Sequence, residues 1–170
     1  MSWPLSRFFL MKFIADSMLG RLAKWLRLLG FDTLYYPHIE DGLLLRIARE
    51  QDRIILTRDT GLVKIRGISK YLLLEDNDTF NQLSKVINAY NLLSQLSEEG
   101  KISLWSPGRC SICNERLKEV PREKAQPHVP EYTYKTCSSF KQCEKCGRFY
   151  WKGSHQENLQ KKLSELLHRT

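Results

Sequence analysis

The chain has 170 residues, 42% apolar and 27% charged, which excludes wholesale disorder and leaves enough length for a core without disulfide help. No run approaches the ~18 apolar residues of a membrane span. Arg7 and Lys12 interrupt the N-terminal apolar run, and no small-residue cleavage site follows, so it does not read as a signal peptide and a cytoplasmic location is expected.

In chain order, Lys12–Ala15 reads as a buried strand ending at Asp16. Leu19, Leu22, Ala23, Leu26 and Leu29 then recur at helical spacing, with Arg21, Lys24 and Arg27 placed on other faces and Gly30 as the stop. Thr33–Tyr36 is a short strand, and Asp41 is placed to cap a helix over Gly42–Glu50. Arg53–Thr57 and Tyr71–Leu74 are further strands. Thr79–Leu96 is a longer helix with Phe80, Leu83, Val86, Ile87, Tyr90 and Leu93 facing inward. Near-continuous apolar strands alternating with helices predict an α/β domain over 11–100, a parallel sheet covered on both faces. Glu98-Glu99-Gly100-Lys101 reads as the turn leading out of it. Ser154-His-Gln-Glu157 resembles a capping box that opens a terminal helix over 154–168.

Lys and Arg exceed Asp and Glu by 8, and the excess is uneven: residues 1–100 carry a net +1 and residues 101–170 a net +7. This bias favours a polyanionic partner, nucleic acid first. The basic part also holds all five cysteines. Cys110-Ser-Ile-Cys113 and Cys143-Glu-Lys-Cys146 are separated by 29 residues. A CxxC knuckle turns two thiolates toward one point, and two knuckles supply the tetrahedral set that Zn²⁺ prefers. Four thiolates fill the coordination sphere, so the zinc is structural. The module spans about 105–153, with a loop or hairpin inserted between the knuckles, and Cys137 is left as a bystander.

Acids sit where strands end. Asp16 follows the first strand, Asp59 follows Ile-Ile-Leu-Thr, and Asp76 and Asp78 follow Tyr-Leu-Leu-Leu. The carboxyl edge of an open parallel sheet is where sites assemble. Crowded carboxylates repel unless a cation neutralises them, and hard oxygen donors suit Mg²⁺ or Mn²⁺. Each acid has a second reading: Asp16 or Asp41 as a helix cap, Asp59 as a turn residue, Asp76 and Asp78 as a solvated loop. A carboxylate ending an apolar strand is costly without a partner, which singles out Asp16.

Four stretches resemble the Mut7-C RNase domain family. They are Phe13-Ile-Ala-Asp16-Ser-Met-Leu-Gly-Arg21-Leu-Ala-Lys24-Trp-Leu-Arg27-Leu-Leu-Gly30, then Ile55-Leu-Thr57-Arg58-Asp59, and the pair Arg109-Cys110-Ser-Ile-Cys113-Asn114 with Cys143-Glu-Lys-Cys146-Gly-Arg-Phe-Tyr150-Trp151-Lys-Gly153-Ser154-His155. The resemblance implies a PIN-like three-layer nuclease domain fused to a zinc ribbon, and metal-dependent endoribonuclease chemistry with acids at Asp16, Asp41 and Asp59. It also implies a fourth acid at Asp76 or Asp78 and products with a 5′-phosphate and a 3′-hydroxyl. Thr57 is expected to orient a carboxylate or a water. RNA is the expected partner, single-stranded or structured ribosomal or transfer RNA. Arg21, Lys24 and Arg58 are candidates for its phosphates near the acids, and Arg109, Arg148 and Lys152 for a grip on the zinc module. Tyr132, Tyr134, Phe140, Phe149, Tyr150 and Trp151 are expected either to stack on unpaired bases or to form the module's small core. The competing readings are a non-catalytic RNA- or ribosome-binding adaptor and a DNA nuclease.

Overall fold

The computed structural model describes residues 11–92, 97–98, 101–102, 108–153, 161 and 164–165. Strands β1 (Lys12–Ala15), β2 (Asp32–Tyr35), β3 (Ile54–Thr57) and β4 (Tyr71–Leu73) form one parallel sheet in the order β2-β1-β3-β4. Between and after them run helices α1 (Gly20–Leu28), α2 (Asp41–Glu50) and α3 (Thr79–Ala89). Successive strand side chains point to opposite faces. Phe13, Ala15 and Leu56 pack with Leu22, Ala23 and Leu26 of α1 and with Leu83, Val86 and Ile87 of α3. Ile14 and Ile55 pack with Leu44 and Ala48 of α2. Helices therefore cover both faces, which is why strands of three or four residues suffice and read as continuous apolar runs.

The three helices stop by one device. Gly30, Asp52 and Asn91 take left-handed φ values of 98°, 52° and 49°. The next residue then returns its N–H to a carbonyl five positions back: Phe31 to Leu26 at 2.9 Å, Arg53 to Ala48 at 2.8 Å and Leu92 to Ile87 at 2.9 Å. This closure ends α3 at Ala89, seven residues short of the expected Leu96; Leu93 lies outside the described residues. Asp41 is the first residue of α2 rather than its cap, which falls at Glu40 with no side-chain bond.

Past the sheet, β5 (Ser97–Glu98) and β6 (Lys101–Ile102) pair antiparallel, with Glu98 opposite Lys101 around the expected turn. A second sheet, β7-β8-β9, is antiparallel: β7 (Lys118–Val120), β8 (Phe140–Gln142) and β9 (Phe149–Trp151). The insertion between the knuckles is helical rather than a plain loop or hairpin: β7 and β8 pair, but α4 (Arg122–Ala125) and α5 (Glu131–Thr136) lie between them. Pro121 and Pro130 stand just before these two helices with the extended ψ that chain entry requires. The expected terminal helix falls almost wholly outside the described residues, of which 161 and 164–165 are helical. No described helix is long and apolar enough to cross a membrane.

The first knuckle is docked on the free edge of β2, and charge carries the contact. Arg27, placed by spacing on an outer face of α1, is 94% buried (6% exposed). Its Nε donates to Thr33 O at 2.8 Å and its Nη1 to the carbonyls of Ser111 and Ile112 at 2.9 and 3.1 Å. Asn114 accepts from Thr33 N–H at 3.1 Å and donates to Asp32 at 2.8 Å. Asp32 also pairs with buried Arg53 at 2.7 Å. Burial alone would raise the Asp32 pKa, but the hydrogen bonds from Arg53 and Asn114 outweigh it and hold the carboxyl below the usual carboxylate range.

Leu22 is fully buried between α1 and the sheet, so Leu22→Ala lowers stability by about 2–5 kcal/mol, read from urea denaturation midpoints. Asp32 has a lowered pKa in the folded state, so its stabilisation is complete above the ordinary aspartate value of ~3.9 and fades as pH falls through the lowered one. Asp32→Asn starts from a lower stability at neutral pH and loses less on acidification over that window than the parent, measured by the same midpoints.

Candidate metal centre and carboxylate edge

The two knuckles share one backbone form. Cys110 N–H bonds Glu115 O at 2.7 Å and Asn114 N–H bonds Cys110 O at 2.9 Å; Cys143 N–H bonds Arg148 O at 2.9 Å and Gly147 N–H bonds Cys143 O at 2.8 Å. The residue after each second cysteine must therefore adopt positive φ, 63° at Asn114 and 74° at Gly147. Glycine and asparagine tolerate this best. Asparagine in the first knuckle also supplies the side chain that holds β2.

This geometry gathers Cys110, Cys113, Cys143 and Cys146 with their sulfurs all within 4.8 Å of one another. The Cys110 and Cys146 sulfurs are 3.7 Å apart, against ~3.8 Å for two corners of a tetrahedron with metal–sulfur bonds of about 2.3 Å. The donor set therefore fits a structural Zn²⁺. Burial raises the Cys110 pKa, but bonds from the Tyr150 hydroxyl and from the N–H groups of Cys113 and Ile112 prevail and bring it to about 7. Burial, with hydrogen bonds to Cys146 and Cys110, pushes Cys113 up to about 12. Crowded thiols resist a second ionisation, which a bound cation reverses. Cys137 stands apart, its sulfur 3.2 Å from Lys152 O.

The second locus is the carboxyl edge of the parallel sheet. The chain leaves β1 to one side for β2 and returns past it to β3, so strand order reverses between β1 and β3. Such a reversal opens a crevice at the strand ends. Asp16 stands there, 7% exposed. One carboxylate oxygen accepts from Met18 N–H at 2.9 Å. The other accepts the Thr57 hydroxyl and, at 3.0 Å, the Arg58 N–H. Thr57 is fully buried, and its oxygen in turn accepts from Asp59 N–H at 2.9 Å. Met18 N–H makes Asp16 the cap of the turn Ser17–Leu19 as well, so the capping role and the strand-end position coincide in one residue.

The other acids are exposed and variously engaged. The Asp59 carboxylate accepts from Gly61 N–H at 2.6 Å. Asp41 opens α2, whose N-terminus lies at this same edge because α2 follows β2 and runs back along the sheet. Asp78 caps α3 through Phe80 and Asn81 N–H at 2.9 and 3.0 Å. Asp76 accepts from Asp78 N–H at 2.7 Å and from the Asn81 side chain at 2.8 Å, and the first of these leads in holding its pKa below the usual range. Among the described residues, the four cysteines form the one group of three or more potential metal ligands within a single ion's reach; the aspartates share an edge without closing to that distance.

The expected RNA contacts divide. Arg21, Lys24, Arg148 and Lys152 are exposed. Arg58 is half-buried and donates to Asn77 across the β3 and β4 ends, with its Nε buried and unpartnered. Arg109 departs from its expected place in the grip: its guanidinium donates to Gly30 O at 3.2 Å and Asn114 O at 2.8 Å and lies 3.9 Å from Asp32. It is a strut between the two parts, with its donors turned away from solvent. Among the aromatics, Phe140 is buried core, Phe149 stacks on His128 at 4.9 Å, and Tyr150 spends its hydroxyl on Cys110 and Ser111; Tyr132 is 78% exposed. Sequence reasoning missed Arg27, Asp32 and Asn114. Of these, Asn114 carried a signal, standing where its counterpart knuckle has glycine.

A family model described as Mut7-C RNAse domain matches residues 11–163. No curated protein and no solved structure matches the chain.

The thiol cluster predicts one zinc per chain, read by atomic absorption on purified protein. Cys143→Ser abolishes that stoichiometry, whereas Cys137→Ser leaves it intact.

Proposed function

The chain belongs to the Mut7-C RNAse domain family, and from this premise we propose that it is a metal-dependent endoribonuclease, with a PIN-like nuclease unit over 11–100 and a zinc ribbon over 105–153. The observation that carries the reading is Asp16: a carboxylate held at the point of strand reversal by the Thr57 hydroxyl and by the N–H groups of Met18 and Arg58. Asp16, Asp41 and Asp59, with Asp76 or Asp78 as a fourth acid, would hold Mg²⁺ or Mn²⁺. Their hard oxygens fit such an ion, and their spread along the edge suits Mg²⁺, which keeps several waters and takes one or two carboxylates directly. When bound, the ion supplies positive charge for the phosphodiester and acidifies water.

The chain's own groups prepare that site. The donors to Asp16 fix both of its carboxylate oxygens at the strand end. Thr57 fixes its orientation and, through Asp59 N–H, ties the β3 end to it. Arg21 and Lys24, exposed on α1 just beyond Asp16, are placed to meet phosphates flanking the scissile one. Arg148 and Lys152 extend the basic surface over the zinc module.

A second reading, an RNA- or ribosome-binding adaptor without catalysis, draws on the same geometry, because no three of the described acids come within a single ion's reach. The test is cleavage of single-stranded RNA and DNA with Mn²⁺ or with chelator. Asp16→Asn and Asp41→Asn are each expected to cut RNA at least about 100-fold more slowly while binding it with unchanged affinity. Asp41 is exposed and has no side-chain partner among the described residues, so its loss of activity is not a folding defect. RNA bound equally with and without Mn²⁺ and never cut selects the adaptor; undiminished cleavage by both variants overturns the proposed site.

A further inference from the structure

The knuckle at Cys110–Cys113 closes on itself through Cys110 N–H to Glu115 O and Asn114 N–H to Cys110 O. Ile112 at its tip is 50% exposed, and Cys110 and Cys113 are its anchors into the sulfur cluster. Yet this turn presents two backbone carbonyls, of Ser111 and Ile112, to the buried Arg27 guanidinium. Immediately after it, Asn114 takes the Thr33 N–H, while Arg27 Nε takes the Thr33 carbonyl. β2 is the outermost strand on its side of the sheet, so these are the outward-facing N–H and C=O of a free strand edge. Two residues on, the Tyr35 hydroxyl donates to Ser17 O at 3.2 Å, next to Asp16. Its ring lies so close to Gly20 that a Cβ there would stand 2.7 Å from it.

We propose that the zinc-bound knuckle is the clasp that holds β2 against α1, so that metal occupancy at the cysteines sets the order of the α1–β2 corner and, through Tyr35, of the edge that carries Asp16. The sequence of contacts runs from the metal to the Ser111 and Ile112 carbonyls, to Arg27 and Asn114, to Thr33, and along β2 to Tyr35 and Ser17. Loss of zinc frees the two carbonyls to turn away, leaves a buried guanidinium short of acceptors, and uncovers the strand edge. Structural zinc sites supply folding free energy directly, and here that free energy is delivered to a neighbouring sheet. Chelation or oxidation of the thiols thereby loosens the corner next to Asp16. The inference rests on the zinc reading of the four cysteines and not on the ribonuclease reading.

The test is hydrogen exchange followed by mass spectrometry on the full chain, with zinc content measured first. On stripping the metal, peptides spanning 26–36 are expected to exchange at least about tenfold faster, whereas α2 and β4 keep their protection. Arg27→Gln and Asn114→Ala, with zinc still bound, are each expected to reproduce the faster exchange over 26–36, and stripping zinc from them adds little further. Unchanged exchange over 26–36 after metal loss overturns the clasp. So does equal loss across all four strands, or an undiminished zinc effect in both variants. A chain that carries no zinc removes the premise, and the metal analysis separates that outcome from failure of the clasp. Cleavage of RNA is not needed for any of these readings.

Discussion

A buried cation binds the two parts of this molecule together. Arg27 lies inside the joint between α1, β2 and the first knuckle, and burial pulls its pKa down, while the nearby Cys110 and Cys113 thiols oppose that fall. An isolated buried charge is costly; this one is satisfied by backbone carbonyls from both sides of the joint. The charges of Cys110, Cys113 and Asp32 nearby also favour the cation. Neither part is fully satisfied alone: the sheet leaves an open strand edge, and the knuckle leaves unfilled carbonyls.

A second polar group extends the joint. Asp32 faces Arg53 at 2.7 Å and Arg109 at 3.9 Å, with Asn114 bonded to the same carboxylate. Arg53 also donates to Phe13 O at 3.1 Å, so the network reaches from the knuckle through β2 to the central strand β1. The cysteine module is therefore better described as a wall against the sheet than as an appendage on a tether. Its basic surface keeps a fixed relation to the carboxyl edge as a consequence, which matters for any polyanion that touches both.

At that edge the organising group is Asp16. Thr57 hands it a proton donor from the adjacent strand, and the register sets the pair: Ala15 stands beside Leu56, so the next residues of the two strands are Asp16 and Thr57. The remaining acids arrive from the starts of α2 and α3 and from the turn after β3. They share the edge because a parallel sheet sends every strand end, and every following helix start, to the same side.

Much of this was legible in residue order. Strands four residues long showed as apolar runs because both sheet faces are covered, and the spacing of Leu22, Ala23 and Leu26 gave α1 its buried face. The paired CxxC knuckles announced the sulfur cluster, since cysteine spacing is a local property of a tight turn. Helix ends were legible where glycine stops the helix, at Gly30, and illegible at Asn91, where asparagine adopts the same left-handed backbone. The burial of Arg27 was not legible, for a physical reason. A long polar side chain on a helix looks solvated until something packs over it, and what packs over Arg27 is the turn at Ser111, 84 residues away.

The sequence alone thus determined the parallel strands with their alternating helices, the sulfur cluster and the strand-end position of Asp16, because these depend on contacts between near neighbours and on period. Only the tertiary structure decided which charges are buried, which strand edge the knuckle covers and how far apart the carboxylates stand. Those depend on where distant segments meet, and local spacing carries no information about that.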